Sequence, residues 1–214
     1  AQLGQDVLVK SLLHPETYTG TFVDIGAHDG VSISNTYFLE KKCQWRGLCV
    51  EANPTVYEAL ASNRRCITEN CAVGSIAADG EFWQIRGYSE MLSGLTTTYH
   101  SRHRKRVLRE IKVHGDTLER ITVPVLSLSA LLDRHGLKVI DYLSVDTEGS
   151  EIDILRSIDF KRTLIRLISV ENPYHGTSIN RFLAKRSFVR LLRVGSDEIY
   201  IHRRHFFNAP TSAS

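Results

Sequence analysis

Two carboxylates, Asp24 and Asp29, flank a turn carrying Gly26 and Gly30, and a third, Glu51, stands twenty-one residues beyond Gly30. The turn closes Thr21–Gly30, read TFVDIGAHDG, and Glu51 lies in Leu48–Pro54, read LCVEANP. A strand, a glycine turn, a helix and a second strand tipped with an acid form the arrangement by which open α/β sheets bind adenosine-containing cofactors. The glycines let the backbone approach the ligand, and the acid accepts hydrogen bonds from both ribose hydroxyls. A dinucleotide site would want G-x-G-x-x-G with a helix N-terminus aimed at a pyrophosphate. Here the spacing is Gly26-x-x-x-Gly30 with acids on either side. Two carboxylates suit a zwitterion with an ammonium and a sulfonium, which is S-adenosylmethionine. Taken alone, the turn also reads as an ordinary strand-to-helix turn with structural glycines; Glu51 weighs against that.

A second group of chemical residues follows two apolar runs. Ile140–Val145 ends in Asp146-Thr147-Glu148-Gly149, and Leu164–Val170 ends in Glu171-Asn172-Pro173. Methyl transfer from a sulfonium is an in-line displacement, in which a protein aligns the partners and helps remove the acceptor's proton. An alcohol is a poor nucleophile at neutral pH, so a base or a metal is expected. Asp146 and Glu148 are the acidic candidates, although Glu148 reads equally as a helix N-terminal carboxylate favoured by the dipole. His175 is a third candidate base. His28, in the glycine turn, is a candidate contact for the methionine carboxylate. A lone loop histidine is more often solvated, and solvation is the expectation for His100, His103 and His114 in their basic segment.

These residues need elements to hold them. The pattern predicts helices over Gly4–Leu13, Ser32–Lys42, Thr55–Asn63, Ser101–Val113 and Ser178–Lys185. It predicts strands at Thr21–Ile25, Gly47–Glu51, Cys66–Thr68, Glu81–Arg86, Val123–Leu126, Ile140–Val145 and Leu164–Val170. Residues 70–74 read as a loop, Ser127 or Ser129 as a cap for a helix running to His135, and Ser150 with Asp153 as a capping box. Phe188–Val194 and Glu198–His202 read as a hairpin, and Asn208–Ser214 as a frayed tail. Alternating strands and helices predict a doubly wound, mostly parallel α/β sheet with an antiparallel strand near the end. Ligands of such sheets bind at the carboxyl ends of the strands.

The 214 residues suit a single domain, 1–214, with residues 87–113 a substrate-side insertion or lid carrying Tyr88, Met91 and Tyr99. Hydrophobic content of 42% and charged content of 24% are ordinary for a globular protein. No run approaches the roughly 18 apolar residues of a membrane span. The chain begins at Ala1 and its one methionine is Met91, so a processed or excised start is expected. Cys43, Cys49, Cys66 and Cys71 form no C-x-x-C pair, and they are expected as reduced, partly buried thiols, with a cytoplasmic location by default. The net charge of +3 is uneven: Arg102, Arg104, Lys105, Arg106, Arg109 and Lys112 crowd one segment opposed only by Glu110. Arg181, Lys185, Arg186, Arg190 and Arg193 form another group. Such runs are usually solvated faces; these could instead line a site for an anionic or polyhydroxylated substrate.

The chain resembles the FkbM-type, S-adenosylmethionine-dependent methyltransferases through VDIGAHDG at Val23–Gly30, CVEANP at Cys49–Pro54, ENCAVG at Glu69–Gly74, LSVDTEGSE at Leu143–Glu151 and SVEN at Ser169–Asn172. QLGQD at Gln2–Asp6 and DEIYIHR at Asp197–Arg203 add to the likeness, which covers nearly the whole chain. The resemblance implies a class I methyltransferase fold, Rossmann-like, with seven core strands in the order 3-2-1-4-5-7-6. It implies methyl transfer to a hydroxyl oxygen of a sugar, glycan or other small molecule. By position, Asp24, Gly26, Ala27 and Gly30 would surround the methionine part of the cofactor, Glu51 with Ala52 the ribose, and Cys71 and Ala72 the adenine. Asp146 would stand beside the reacting centre. Asp146 with Glu171 and Asn172 also resembles the layout of magnesium-dependent catechol-type methyltransferases, which makes Mg²⁺ a candidate second cofactor. The basic segments raise RNA methylation as an alternative, but Glu171 occupies a strand end where a lysine would be expected, and aromatic residues within the basic run are sparse. A non-catalytic interaction module keeping the fold is the remaining alternative.

Overall fold

The computed structural model describes residues 4–13, 19–75, 77–99 and 101–206; Gln2, Pro15, His100 and the tail 208–214 lie outside them. In chain order the elements are α1 Gln5–Leu13, β1 Thr21–Ile25, α2 Tyr37–Cys43, β2 Arg46–Glu51, α3 Pro54–Asn63, β3 Ile67–Asn70, β4 Ala72–Val73, β5 Ala78–Arg86 and β6 Gly94–Leu95. They continue with α4 Ser101–His114, β7 Thr117–Leu126, α5 Leu128–Arg134, β8 Val139–Val145, α6 Glu151–Arg156, β9 Leu164–Glu171, α7 Ser178–Ala184, β10 Phe188–Val194, β11 Asp197–His202 and α8 Arg203–Phe206. A short 3₁₀ turn, Glu90–Leu92, precedes β6.

Seven strands form the main sheet in the order β10-β11-β9-β8-β1-β2-β3. Only β11 runs against its neighbours, β9 and β10. Counted within this sheet, the order is the expected 3-2-1-4-5-7-6. The apolar runs of β1 and β8 are buried on both faces, as parallel strands between helical layers must be. Their period of two sorts the side chains: Val23, Ile25, Leu143 and Val145 join one core cluster, while Phe22 and Tyr142 join the other.

Several expected boundaries move for local reasons. The helix expected from Ser32 begins only at Tyr37. Asp29 Oδ1 accepts from the Val31 and Ser32 amides, and Ser34 Oγ accepts from those of Thr36 and Tyr37. These side chains take the amides that a helix would have used. Ser127, not Ser129, caps α5, its Oγ accepting from the Ala130 amide at 3.1 Å. The capping box at Ser150 does not form; its Oγ pairs with Thr98 Oγ1 at 2.7 Å. Residues 70–74 are not simply a loop, because β4 pairs in parallel with β7.

The sequence reading did not anticipate a second sheet. β4-β7-β5-β6 stand apart from the main sheet, with β5 and β7 paired antiparallel from Ala78↔Val125 to Arg86↔Thr117. Most of β7 is half-buried or exposed, so its first residues carry little apolar signal. Residues 87–113 bridge β5 and β7 and contain β6 and nearly all of α4. Among the described residues no helix is long and apolar enough to cross a membrane.

One buried cation ties the glycine turn to its surroundings. The Arg64 side chain has no exposed surface. Its Nη1 donates to Gly30 O at 3.0 Å and Ser34 Oγ at 3.3 Å, its Nη2 donates to Thr36 Oγ1 at 3.0 Å, and its Nε pairs with Glu40. Thr36 Oγ1 in turn donates to Asp24 Oδ2 at 2.6 Å. Removing one partner of a buried pair leaves the other charge uncompensated. Arg64→Met is therefore expected to lower unfolding free energy by about 3–5 kcal/mol, read from urea melts, with Glu40 as the stranded partner.

Candidate cofactor and acceptor site

A cavity of about 360 Å³ opens where β1, β2, β8 and β9 end. It is lined by Asp24, Gly26, Ala27, His28, Glu51, Ala52, Cys71, Ala72, Asp146, Glu148 and Glu171, all singled out from sequence. Gly26 sits at φ +82°, and a Cβ there would lie 1.7 Å from Asp146 O. Only glycine lets the ends of β1 and β8 approach this closely. Its amide and that of Ala27 both donate to Val50 O, which fixes the turn against β2.

Glu51 is held by the same turn. Its Oε2 accepts from the His28 amide at 2.9 Å and its Oε1 from the Asn53 amide at 2.8 Å. A carboxylate has about four acceptor sites, so each oxygen keeps a lone pair for a ligand. Burial raises its pKa, and the two amides oppose that shift. The His28 ring stands 3.3 Å from Glu90 Oε1. Beyond Glu51, Ala52, Ala72, Phe82 and Leu95 pack into one apolar cluster that borders the cavity. Cys71 lines the same cavity, and burial pushes its thiol up to about 12, so it is an inert part of the wall. Phe82 and Leu95 come from the second sheet, which is why sequence reasoning missed them.

The opposite wall is acidic. Asp146, Glu148, Glu171 and Asp197 all face the cavity. Burial and mutual repulsion raise all but Asp197 far above the usual carboxylate range, with Glu148 and Glu171 pushed up to about 8; for Asp197 burial alone raises it. Among the described residues, Glu148 Oε2 and Glu171 Oε2 are buried with no hydrogen-bond partner. Glu151 shapes this wall, its Oε1 accepting from the Gly149 amide at 2.8 Å, while Glu148 itself adopts φ +57°. Asp197 is tied to Gln5 of α1, another cavity residue. Such a wall fits a cationic ligand or one rich in hydroxyl donors.

Helix α4 closes this side. Contrary to the expectation of solvation, His103 is 2% exposed, with Nδ1 3.5 Å from Glu148 Oε2. Burial lowers its pKa to about 4, so it is neutral there. Arg106 Nη1 lies 4.0 Å from the same oxygen. A helical histidine directed inward is visible in sequence only through its spacing with Val107, four residues on.

Three sequence candidates lie elsewhere. Gly30 does not line the cavity; it sits at φ +77°, where a Cβ would meet Leu60 and Arg64 within 2.7 Å, so its part is to admit Arg64. His175 is exposed outside the cavity, its Nδ1 3.2 Å from Asn172 O, and is not placed to act as a base. Asn172 turns its amide onto its own loop, donating to Gly176 O at 2.8 Å and accepting from Gly176 N at 3.0 Å. Asn172 is thereby engaged within its own loop, while Asp146 and Glu171 share a side-chain hydrogen bond, and among the described residues no group of three or more His, Cys, Asp or Glu is arranged to hold a metal. The four thiols are free, as expected.

A family model described as the methyltransferase FkbM domain matches residues 24–192. Among solved structures, the chain is similar to methyltransferase FkbM from Methylobacillus flagellatus KT, with 15% identity, a TM-score of 0.51, and coverage of 86% of this chain and 43% of that one. It is similar also to the METTL16 MTase domain, with 11% identity, a TM-score of 0.51, and coverage of 92% and 64%. The chain thus spans less than two thirds of either structure's length. No curated protein matches it.

The acidic wall carries a pH signature. Between about pH 6.5 and 8 the folded protein holds protons on Glu148 and Glu171 that the unfolded chain has already lost, so stability falls as pH rises through that window. His103 is neutral in the fold throughout it, and because the unfolded chain still binds part of a proton there near pH 6.5, it opposes the slope at the low end of the window and no longer does so by about pH 8. Urea melts across the window are expected to show this decline, and E148Q to flatten it; a wild-type midpoint that rises instead would contradict the burial of these acids.

Proposed function

Because the chain belongs to the FkbM methyltransferase family, we propose that it is an S-adenosylmethionine-dependent O-methyltransferase acting on a hydroxyl of a sugar, glycan or other small molecule. The observation that carries the reading is a cavity with a Glu51 carboxylate anchored by two backbone amides at one end and an unneutralised acidic wall at the other.

When bound, S-adenosylmethionine supplies a methyl group already activated on a sulfonium. The chain's own residues account for the rest. Glu51 accepts from the ribose hydroxyls, and Ala52, Cys71, Ala72 and Phe82 enclose the adenine. Asp24, Gly26, Ala27 and His28 border the methionine end. Asp146 faces the cofactor's positive charge. Glu148 would receive the acceptor's hydroxyl proton as the oxygen–methyl bond forms and the sulfur–methyl bond breaks to leave the thioether, with the neutral His103 ring 3.5 Å from its Oε2. A raised pKa makes it a stronger base than an ordinary carboxylate once the bound cation restores its charge. Segment 90–95 and Arg106 border the same cavity, in keeping with a lid that excludes water. No step is assigned to magnesium, because Asn172 is engaged within its own loop.

Calorimetric titration tests the reading. S-adenosylmethionine and S-adenosylhomocysteine should both bind, and E51Q should weaken both at least about tenfold through the lost charged hydrogen bonds. Affinity for the sulfonium form should rise with pH up to about 8, more steeply than for the thioether, as the acidic wall ionises. No binding of either ligand would leave a non-catalytic module as the better account. With binding established, radiolabelled methyl transfer to sugars would test the acceptor class.

A further inference from the structure

Helix α4 sorts its charges by face. His103 and Val107 are buried, while Arg102, Arg106 and Arg109 recur at i, i+4 and i+7 along one flank that continues to Val113. Arg106 brings this flank to the cavity: it lines the pocket beside Glu148 yet keeps 45% of its side chain exposed. Arg109 is 70% exposed and shares its charge only with neighbouring Glu110, a surface pair of little energetic weight.

Beside the far end of this flank, one row round the helix, lies an aromatic surface. His114, the last residue of α4, stacks on Tyr88 with ring centroids 4.1 Å apart and planes at 29°. Tyr88 is 80% exposed, so the ring face away from His114 is open to water. Asp116 accepts from the Tyr88 and Ser89 amides at 2.8 and 2.9 Å, which fixes the turn presenting the ring. From Arg102 to His114 the helix rises about 18 Å. The cationic flank thus starts at the mouth of the acidic cavity, and the open aromatic face stands beside its far end, one row round the helix, with Glu110 paired to both Arg109 and His114 between them.

We propose that the acceptor is an acidic oligosaccharide: its reacting sugar enters the cavity, and the following sugars lie along α4, with their acidic groups on Arg106 and Arg109 and one ring on Tyr88. The proposal rests on the methyltransferase reading and extends it to the acceptor. Guanidinium groups match carboxylate and sulfate in geometry as well as charge. The apolar C–H face of a sugar ring covers an aromatic face that is otherwise hydrated. At the reacting end, sugar hydroxyls can donate to Glu148 Oε2 and Glu171 Oε2, which are buried with no hydrogen-bond partner among the described residues. A polynucleotide fits less well. One open aromatic face is fewer than the successive stacking platforms of single-strand binders.

Binding of four probes, each with and without S-adenosylhomocysteine, tests this: oligogalacturonate, heparin oligosaccharide, maltooligosaccharide and oligouridylate. At least one acidic sugar should bind, more weakly as salt rises. R109Q and Y88A should each weaken it about three- to tenfold, equivalent to roughly 0.6–1.4 kcal/mol, with cofactor affinity and melting temperature unchanged. Equal binding of maltooligosaccharide would overturn the acidic requirement. Tighter binding of oligouridylate would overturn the sugar in favour of a nucleic acid. Failure of both acidic sugars, or indifference to R109Q and Y88A, would overturn the track. Loss of S-adenosylhomocysteine binding by the wild type would strike instead at the cofactor assignment, which these probes measure separately.

Discussion

A buried guanidinium needs its full set of acceptors, and Arg64 obtains them only if three segments come together. The Gly30 carbonyl, the Ser34 and Thr36 hydroxyls and the Glu40 carboxylate all converge on it. Satisfying that one charge sets the path of residues 30–36, shortens α2 and places Thr36 to hold Asp24. Gly26 completes the arrangement by letting β1 and β8 meet without an intervening side chain. The rim of the cavity is therefore shaped from below before any ligand arrives. This is preorganisation in the sense that matters for transfer chemistry, because alignment is most of what such a reaction needs.

Above this rim the protein gathers carboxyl groups that burial and mutual repulsion hold largely protonated up to about pH 8. Asp146, Glu148, Glu171 and Asp197 share one wall, and the cations near them, Arg106 chief among them, stand at its edge rather than within it. Acids crowded this way oppose folding once they ionise. A cation in the cavity would relieve the repulsion, so the energetic cost of the empty site and its affinity for a positively charged ligand have one origin. The second sheet and α4 contribute to both properties. They supply the apolar wall at Phe82 and Leu95, and they seal Glu148 with His103.

The sequence was most legible where chain neighbours are also neighbours in space. Thr21–Gly30 could be read because strand, turn and ligand contact follow one another directly, and Glu51 could be added because a βαβ unit has a fixed reach. It was least legible where contacts join distant segments. Gly30 carries the right residue type for a cofactor loop, yet it serves Arg64, thirty-four positions away. Asn172 and His175 follow a strand end facing the site, but a tight local turn draws the amide to Gly176 and leaves the imidazole outside. His103 looked solvated in a basic run because only its helical phase marks it as buried.

The amino-acid sequence by itself carried the family through its motifs, the sheet order that this resemblance implies, and most residues that line the cavity, because glycine at turns and acids at strand ends are written into those motifs. The tertiary structure alone decided that β4 to β7 form a separate sheet, that α4 turns His103 and Arg106 toward Glu148, and that Tyr88 stacks on His114. The physical reason is the range of the interactions. Period and turn chemistry act over a few residues, whereas the packing of Phe82, Leu95 and α4 over the cavity, and the pKa values of the acids beneath, depend on which distant surfaces exclude water together.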